Sequence, residues 1–233
     1  DGSIQTTAYT GQTGGAVGTF FVVANDTGQV SKSTDGVTWT AGVDTGDSIS
    51  RVATDGVTVA MIQSDQLSWT TFAGLESSTY VSGSSSISDK IGDRTITWNQ
   101  IDYAGGYFVA VGYYVPTGST LSQGVYGYST DGRVWAFLTV DQTVVEYFGN
   151  NPVDSDWEFS DIDYNGVGWM FSVGDNEGTG TPQGGGVYIT DLTATITSAR
   201  CFSMSITYDA AWNGSAWYME GNNSLAGVNL SID

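Results

Sequence analysis

Apolar and polar residues alternate from Gly124 to Ser129, break at Ser129-Thr130-Asp131-Gly132, and resume through Arg133-Val134 to Trp135. Asp-Gly between two alternating runs predicts a hairpin, because the turn needs a positive φ and its amides can be held by Ser and Asp side chains. The same unit stands earlier as Ser33-Thr34-Asp35-Gly36-Val37-Thr38-Trp39. Between the boxes lie short apolar runs, Thr19–Asn25, Val57–Ile62, Tyr107–Gly112, Trp169–Val173 and Ala216–Met219. The last four each follow a polar-Gly or Gly-Gly pair: Asp55-Gly56, Gly105-Gly106, Asn165-Gly166, Asn213-Gly214. Runs of four to eight residues bounded by such pairs are strands.

Ile101-Asp102-Tyr103 and Ile162-Asp163-Tyr164 match at the same distance before their turns, so the strands group into repeats. Each repeat reads as strand a, a polar-Gly turn, apolar strand b, strand c, the Ser/Thr-Asp box and strand d. Five such units fit, roughly 8–44, 48–82, 97–140, 157–200 and 203–233 with 1–7 added. The chain stops at Ser231-Ile232-Asp233, inside a box that Asp1-Gly2 would complete. The expectation is therefore an all-β, single-domain, five-bladed β-propeller with four antiparallel strands per blade. Its N-terminal strand joins the C-terminal blade and closes the ring. Strand d of the first unit is expected at Val37–Ala41, and strand c of the last at Val228–Ser231.

Composition supports this picture. Among 233 residues there are 32 Gly, 3 Pro and 13 % aromatics, a profile of short strands and tight turns. A net charge of −19 with 6 basic residues opposes any phosphate backbone, so nucleic acid is not an expected partner. No apolar run reaches the ~18 residues of a membrane span. Cys201 is alone, so no internal disulfide forms, and the absence of His removes Ser-His-Asp triads and the usual zinc ligands. The start without Met reads as a processed or internal N-terminus.

In a four-stranded blade the a–b and c–d turns share one face, and the b–c and d–a loops share the other. The long insertions 82–95, 113–123, 140–157 and 174–185 all fall on the second face. They carry Tyr113, Tyr114, Tyr147 and Trp157 as candidate ligand-binding aromatics, suited to sugar stacking or to anchoring a protein contact. Packing of these rings onto the blades is the bland alternative. Asp154, Asp156 and Glu158 alternate as a candidate Ca²⁺ set, against the reading of an exposed strand edge. No other cofactor is expected. Asp102, Asp161 and Asp163 lie on inner strands, where they line a channel, bond turns and neighbouring blades, or supply the facing carboxylates of a glycosidase.

The boxes Ser33, Asp35, Gly36, Trp39 and Ser129, Asp131, Gly132, Trp135 resemble the Asp-box repeats of sialidase-like (BNR) propellers. They look closer still to the repeats of phage and bacterial surface propellers. In such families the box is a structural hairpin remote from any active site. The resemblance implies a non-enzymatic structural or binding propeller of a virion or a cell surface, such as a phage tail, fibre or capsid-decoration component. It would stand in several copies against other surface proteins or a host glycan. A lectin and, less favoured, a glycoside hydrolase are the alternatives. The arginine cluster of a sialidase is missing, since the chain has only Arg51, Arg94, Arg133 and Arg200.

Overall fold

The computed structural model describes residues 5–10, 19–64, 66–76, 90–91, 94–139, 145–146, 158–174, 184–194, 199–200, 207–221 and 224–228. The described residues are all-β, with one short 3-10 turn at Ala73–Glu76. In chain order the strands are β1 Gln5–Thr10, β2 Thr19–Ala24, β3 Gln29–Ser33, β4 Val43–Asp44, β5 Ile49–Thr54, β6 Thr58–Gln63 and β7 Gln66–Thr71. The short β8 Lys90–Ile91 and β9 Arg94–Thr95 follow, then β10 Thr97–Ala104, β11 Tyr107–Tyr114, β12 Gln123–Ser129 and β13 Ala136–Thr139. After β14 Val145–Glu146 come β15 Glu158–Tyr164, β16 Trp169–Gly174, β17 Gly184–Ile189, β18 Ala199–Arg200, β19 Thr207–Trp212, β20 Trp217–Gly221 and β21 Ser224–Val228.

Sequence neighbours pair. The sheets run β1-β2-β3-β4, β5-β6-β7, β10-β11-β12-β13, β15-β16-β17 and β19-β20-β21, each in chain order. The second strand of a sheet is the apolar run, and in β6, β11 and β16 burial explains why it does not alternate. All six residues of β6, Thr-Val-Ala-Met-Ile-Gln, are buried. A strand covered on both faces reads as a continuous apolar run. The first strands are covered less completely: in β15 Phe159, Asp161 and Ile162 are buried and the other four residues half-buried.

Chain contacts group into two compact units. The first holds residues 1–89, 101–110 and 128–136. Its core joins Val22, Ala24 and Val30 to Ile49, Val52, Val59, Met61, Phe72 and Leu75. Lys32 is buried here; its Nζ donates to the Phe72 carbonyl at 2.7 Å and lies 4.6 Å from the centre of the Phe72 ring. Arg133 stacks over Trp69 at 4.2 Å. The second unit holds residues 90–100, 111–127 and 137–233. There Met170, Ala210, Trp217 and Met219 form a buried cluster with Tyr188 and Trp212 against it.

Several strands differ from the sequence expectation. Gln5 and Thr6, placed above in the outer strand of the last unit, pair with Ala24 and Val23 in the first sheet. An antiparallel neighbour reached through a short Gly-rich connection is the cheaper partner in loop entropy. The remainder of the expected closure, 1–4 with 229–233, lies outside the described residues. The outer strand of the first sheet is Val43–Asp44 rather than Val37–Ala41, because the box holds the amides of Val37 and Thr38 for itself. The third strand of the last sheet is Ser224–Val228, set against Trp217–Gly221; of the expected Val228–Ser231 only Val228 falls within the described residues. Ala199–Arg200 does not extend the β15-β16-β17 sheet but pairs in parallel with Val145–Glu146 from the long insertion.

Candidate functional site

The turns come first, because they fix where each sheet ends. Ser33 Oγ accepts from the Asp35 and Gly36 amides at 3.2 and 2.8 Å, and donates to Asp35 Oδ1 at 2.9 Å. Asp35 Oδ1 accepts from Val37 and Thr38 at 2.8 and 2.6 Å. Ser129 and Asp131 repeat the pattern, with Asp131 Oδ1 accepting from Arg133 and Val134 at 2.8 and 2.9 Å. The box tryptophans diverge. Trp135 Nε1 donates to the Gly132 carbonyl at 3.1 Å, whereas Trp39 leans on Phe21 with ring centres 6.4 Å apart. Three other turns use an Asx side chain for the same purpose, helped in the first by Thr54 Oγ1, which accepts from the Gly56 amide at 3.0 Å. Asp55 Oδ1 takes the amides of Val57 and Thr58, Asn165 those of Val167 and Gly168, and Asn213 those of Ser215 and Ala216. All these groups are local fasteners, in keeping with a structural role.

Three first strands carry a bulge at the same place. The register slips between Ile49 and Arg51, between Phe159 and Asp161, and between Thr207 and Asp209. An extra residue re-aims the side chain that follows it. Arg51, Asp161 and Asp209 therefore occupy one repeated position, each four residues before its turn residue Asp55, Asn165 or Asn213. Gln100, just before Ile101-Asp102-Tyr103, is the matching residue of β10.

In the second unit this position builds a polar cluster. Asp161 is 9 % exposed. Its Oδ1 accepts from Gln100 Nε2 at 2.8 Å and its Oδ2 from the Ala210 amide at 3.0 Å. Two residues on, Asp163 Oδ2 accepts from the Trp212 amide at 2.6 Å and its Oδ1 from the Tyr164 amide at 2.7 Å. Asn99 adds a bond from Nδ2 to the Phe159 carbonyl at 2.7 Å. Burial, then Asp209, pushes the Asp161 carboxyl up to about 7, against the Ala210 and Gln100 bonds that favour its charged form. Burial raises Asp163 as well, against the amides of Trp212 and Tyr164.

The remaining candidates scatter. Tyr113 and Tyr114 end β11, half-buried, and Tyr114 Oη donates to Gln123 Oε1 at 2.7 Å. Glu158 opens β15 and its Oε1 accepts from Ser122 Oγ at 3.0 Å. Tyr147, Trp157, Asp154 and Asp156 lie outside the described residues. Among the described residues no three His, Cys, Asp or Glu gather as a metal site. Asp102 bonds the Tyr103 amide at 2.7 Å. The sequence reading missed Gln100 and Asp209. Counting four residues back from each Asx-Gly turn would have found Asp209 beside Asp161.

No protein-family model and no curated protein matches the chain. Solved structures do match. The GH32 beta-fructofuranosidase BmSUC1 of Bombyx mori is 11 % identical with a TM-score of 0.42, over 87 % of this chain and 51 % of that one. The N-terminal domain of Nup159 is 9 % identical at 0.39, over 86 % and 59 %. The GH74 enzyme of Niastella koreensis is 10 % identical at 0.36, over 92 % and 41 %. The chain thus spans about half the length of the solved structures it matches. At such scores the likeness carries no residue, ligand or activity across to this chain.

Proposed function

We propose that the chain is a five-bladed, Asp-box β-propeller acting as a non-enzymatic binding or structural module on a virion or cell surface. The observation that carries the non-enzymatic part is the use of the inner-strand carboxylates. Both oxygens of Asp161 and both of Asp163 accept hydrogen bonds, three from backbone amides and one from Gln100, so they hold strands together. Facing carboxylates of a hydrolase would instead leave oxygens free toward a substrate. Rigid sheets with self-fastened turns suit the display of loops, with Tyr113 and Tyr114 at the end of β11 as contact residues and a neighbouring subunit or a glycan as the partner.

A second reading, a glycoside hydrolase, is favoured by one observation. Burial, then Asp209, pushes the Asp161 carboxyl up to about 7, and a carboxyl that keeps its proton near neutrality is what the general acid of such an enzyme needs. One experiment separates the readings: the purified protein is put on a glycan array and on a panel of chromogenic glycosides. Glycan binding or assembly without turnover is the expected result. Turnover abolished in both Asp161→Asn and Asp209→Asn, with melting unchanged, would overturn the first reading in favour of the second.

A further inference from the structure

The turn between β19 and β20 is Asn213-Gly214-Ser215-Ala216, and its groups do more than fastening requires. Asn213 Oδ1 accepts from the Ser215 amide at 2.9 Å, the Ser215 hydroxyl at 3.1 Å and the Ala216 amide at 2.8 Å. Two backbone donors identify this atom as the oxygen, so the other terminal atom is the amide nitrogen. That Nδ2 donates to Tyr218 Oη at 3.1 Å. Gly214 follows with φ +98°, and a Cβ there would meet nothing within 4 Å, so neither a side chain nor a packed neighbour crowds its α-carbon.

We infer that Asn213-Gly214 is a site of self-modification, at which the turn's own groups exchange the Asn213 amide for a carboxylate. The Gly214 backbone nitrogen forms a bond to Asn213 Cγ and gives up its proton to solvent. The Cγ–Nδ2 bond breaks, and the nitrogen takes one proton and leaves as ammonia. Water then opens the cyclic imide. Attack at Cγ gives aspartate; attack at the main-chain carbonyl carbon gives isoaspartate. Nothing is oxidised or reduced. As the ring closes, negative charge gathers on Oδ1, where three donors already point. Donors fixed in advance on a developing oxyanion lower the barrier to its formation. Once the ring has closed Nδ2 carries a lone pair, and the Tyr218 hydroxyl beside it stands where it can hand over the proton the leaving nitrogen needs.

Asn165-Gly166 is the internal comparison. Asn165 Oδ1 accepts from the Val167 and Gly168 amides, both at 2.9 Å, and a Cβ at Gly166 would also meet nothing within 4 Å. There, however, the Tyr188 hydroxyl donates to Oδ1 at 3.2 Å, so it attends the oxygen rather than the departing nitrogen. Asn165 is also half-buried, whereas Asn213 is exposed. The product has a counterpart in the same chain. Asp55 stands at the matching position of the β5–β6 turn, and its Oδ1 takes the amides of Val57 and Thr58 at 2.8 and 2.6 Å. Aspartate therefore holds such a turn as asparagine does. Isoaspartate lengthens the main chain by one methylene and moves the amides out of register.

The test is peptide mapping by mass spectrometry of the folded protein held at pH 8 and 37 °C, in the wild type and in Tyr218→Phe. The readout is the rate of amide loss at Asn213 divided by that at Asn165 in the same molecules. Tyr218 is 41 % exposed, and any general loosening of the variant would register at Asn165 as well. The expected result is a ratio severalfold above one in the wild type that falls severalfold in Tyr218→Phe. A ratio of one or less in the wild type, or the same ratio in both proteins, would overturn the inference. Asn213→Asp is expected to melt with the wild type; a clear loss would contradict the claim that the turn accommodates its product.

Discussion

Gly132 shows how much a single turn position holds. Its φ is +69°, and a Cβ there would meet Thr58 Cγ2 at 3.0 Å and the Phe108 ring at 3.2 Å. Gly132→Ala therefore combines the left-handed penalty of about 1–2 kcal/mol with overpacking of about 1–3 kcal/mol. Gly46 also has a positive φ, +85°, but nothing within 4 Å, so Gly46→Ala should show the first cost alone. Urea midpoints of the two variants would separate the terms, and equal losses would contradict the packing at Gly132. The box acids carry a pH signature of their own. The amides of Thr38 and Val37 hold the Asp35 carboxyl well below the ordinary range. Burial opposes the same shift at Asp131, where the bonds from Val134, Arg133 and Ser129 prevail. For a lowered carboxyl the stabilisation is present above the unfolded value of about 3.8 and is lost as pH falls. Thermal melts from pH 4.5 to pH 2 should show a falling midpoint that flattens in Asp35→Ala.

At the scale of elements, β6, β11 and β16 were legible because burial on both faces leaves an unbroken apolar run. The box hairpins were legible because their bonds reach only two or three residues along the chain. The joints between elements were not legible. Asp161 finds Ala210 at a separation of 49 residues, and no local pattern marks the partner. The bulges that aim Asp161 and Asp209 leave no composition signal either; only the repeated spacing to the next turn betrays them. Trp217 gives a test of element packing. It is fully buried against Trp212, with ring centres 5.2 Å apart, and its Nε1 has no hydrogen-bond partner. Trp217→Ala should cost about 3–5 kcal/mol through the cavity it leaves. Trp217→Phe should cost far less, since it removes a buried unpaired N–H whose burial is itself unfavourable by about 1–3 kcal/mol. Denaturant unfolding of both variants measures the contrast, and equal losses would argue against it.

At the scale of the molecule, 25 acidic residues face 6 basic ones. Self-repulsion then opposes compaction, and salt screens it within a Debye length of about 10 Å at 0.1 M. The melting temperature should rise between 20 mM and 500 mM NaCl, and a salt-independent melt would show that the charges are already well separated. The order of pairing has a further bearing on how the protein is made. Apart from β14-β18, every sheet described here closes between consecutive stretches of chain, so each can form as its own residues leave the ribosome. The parallel pairing of Val145–Glu146 with Ala199–Arg200 breaks that sequence. The earlier stretch must wait until the whole β15-β16-β17 sheet has been synthesised, which makes this clasp a late event in the birth of the molecule.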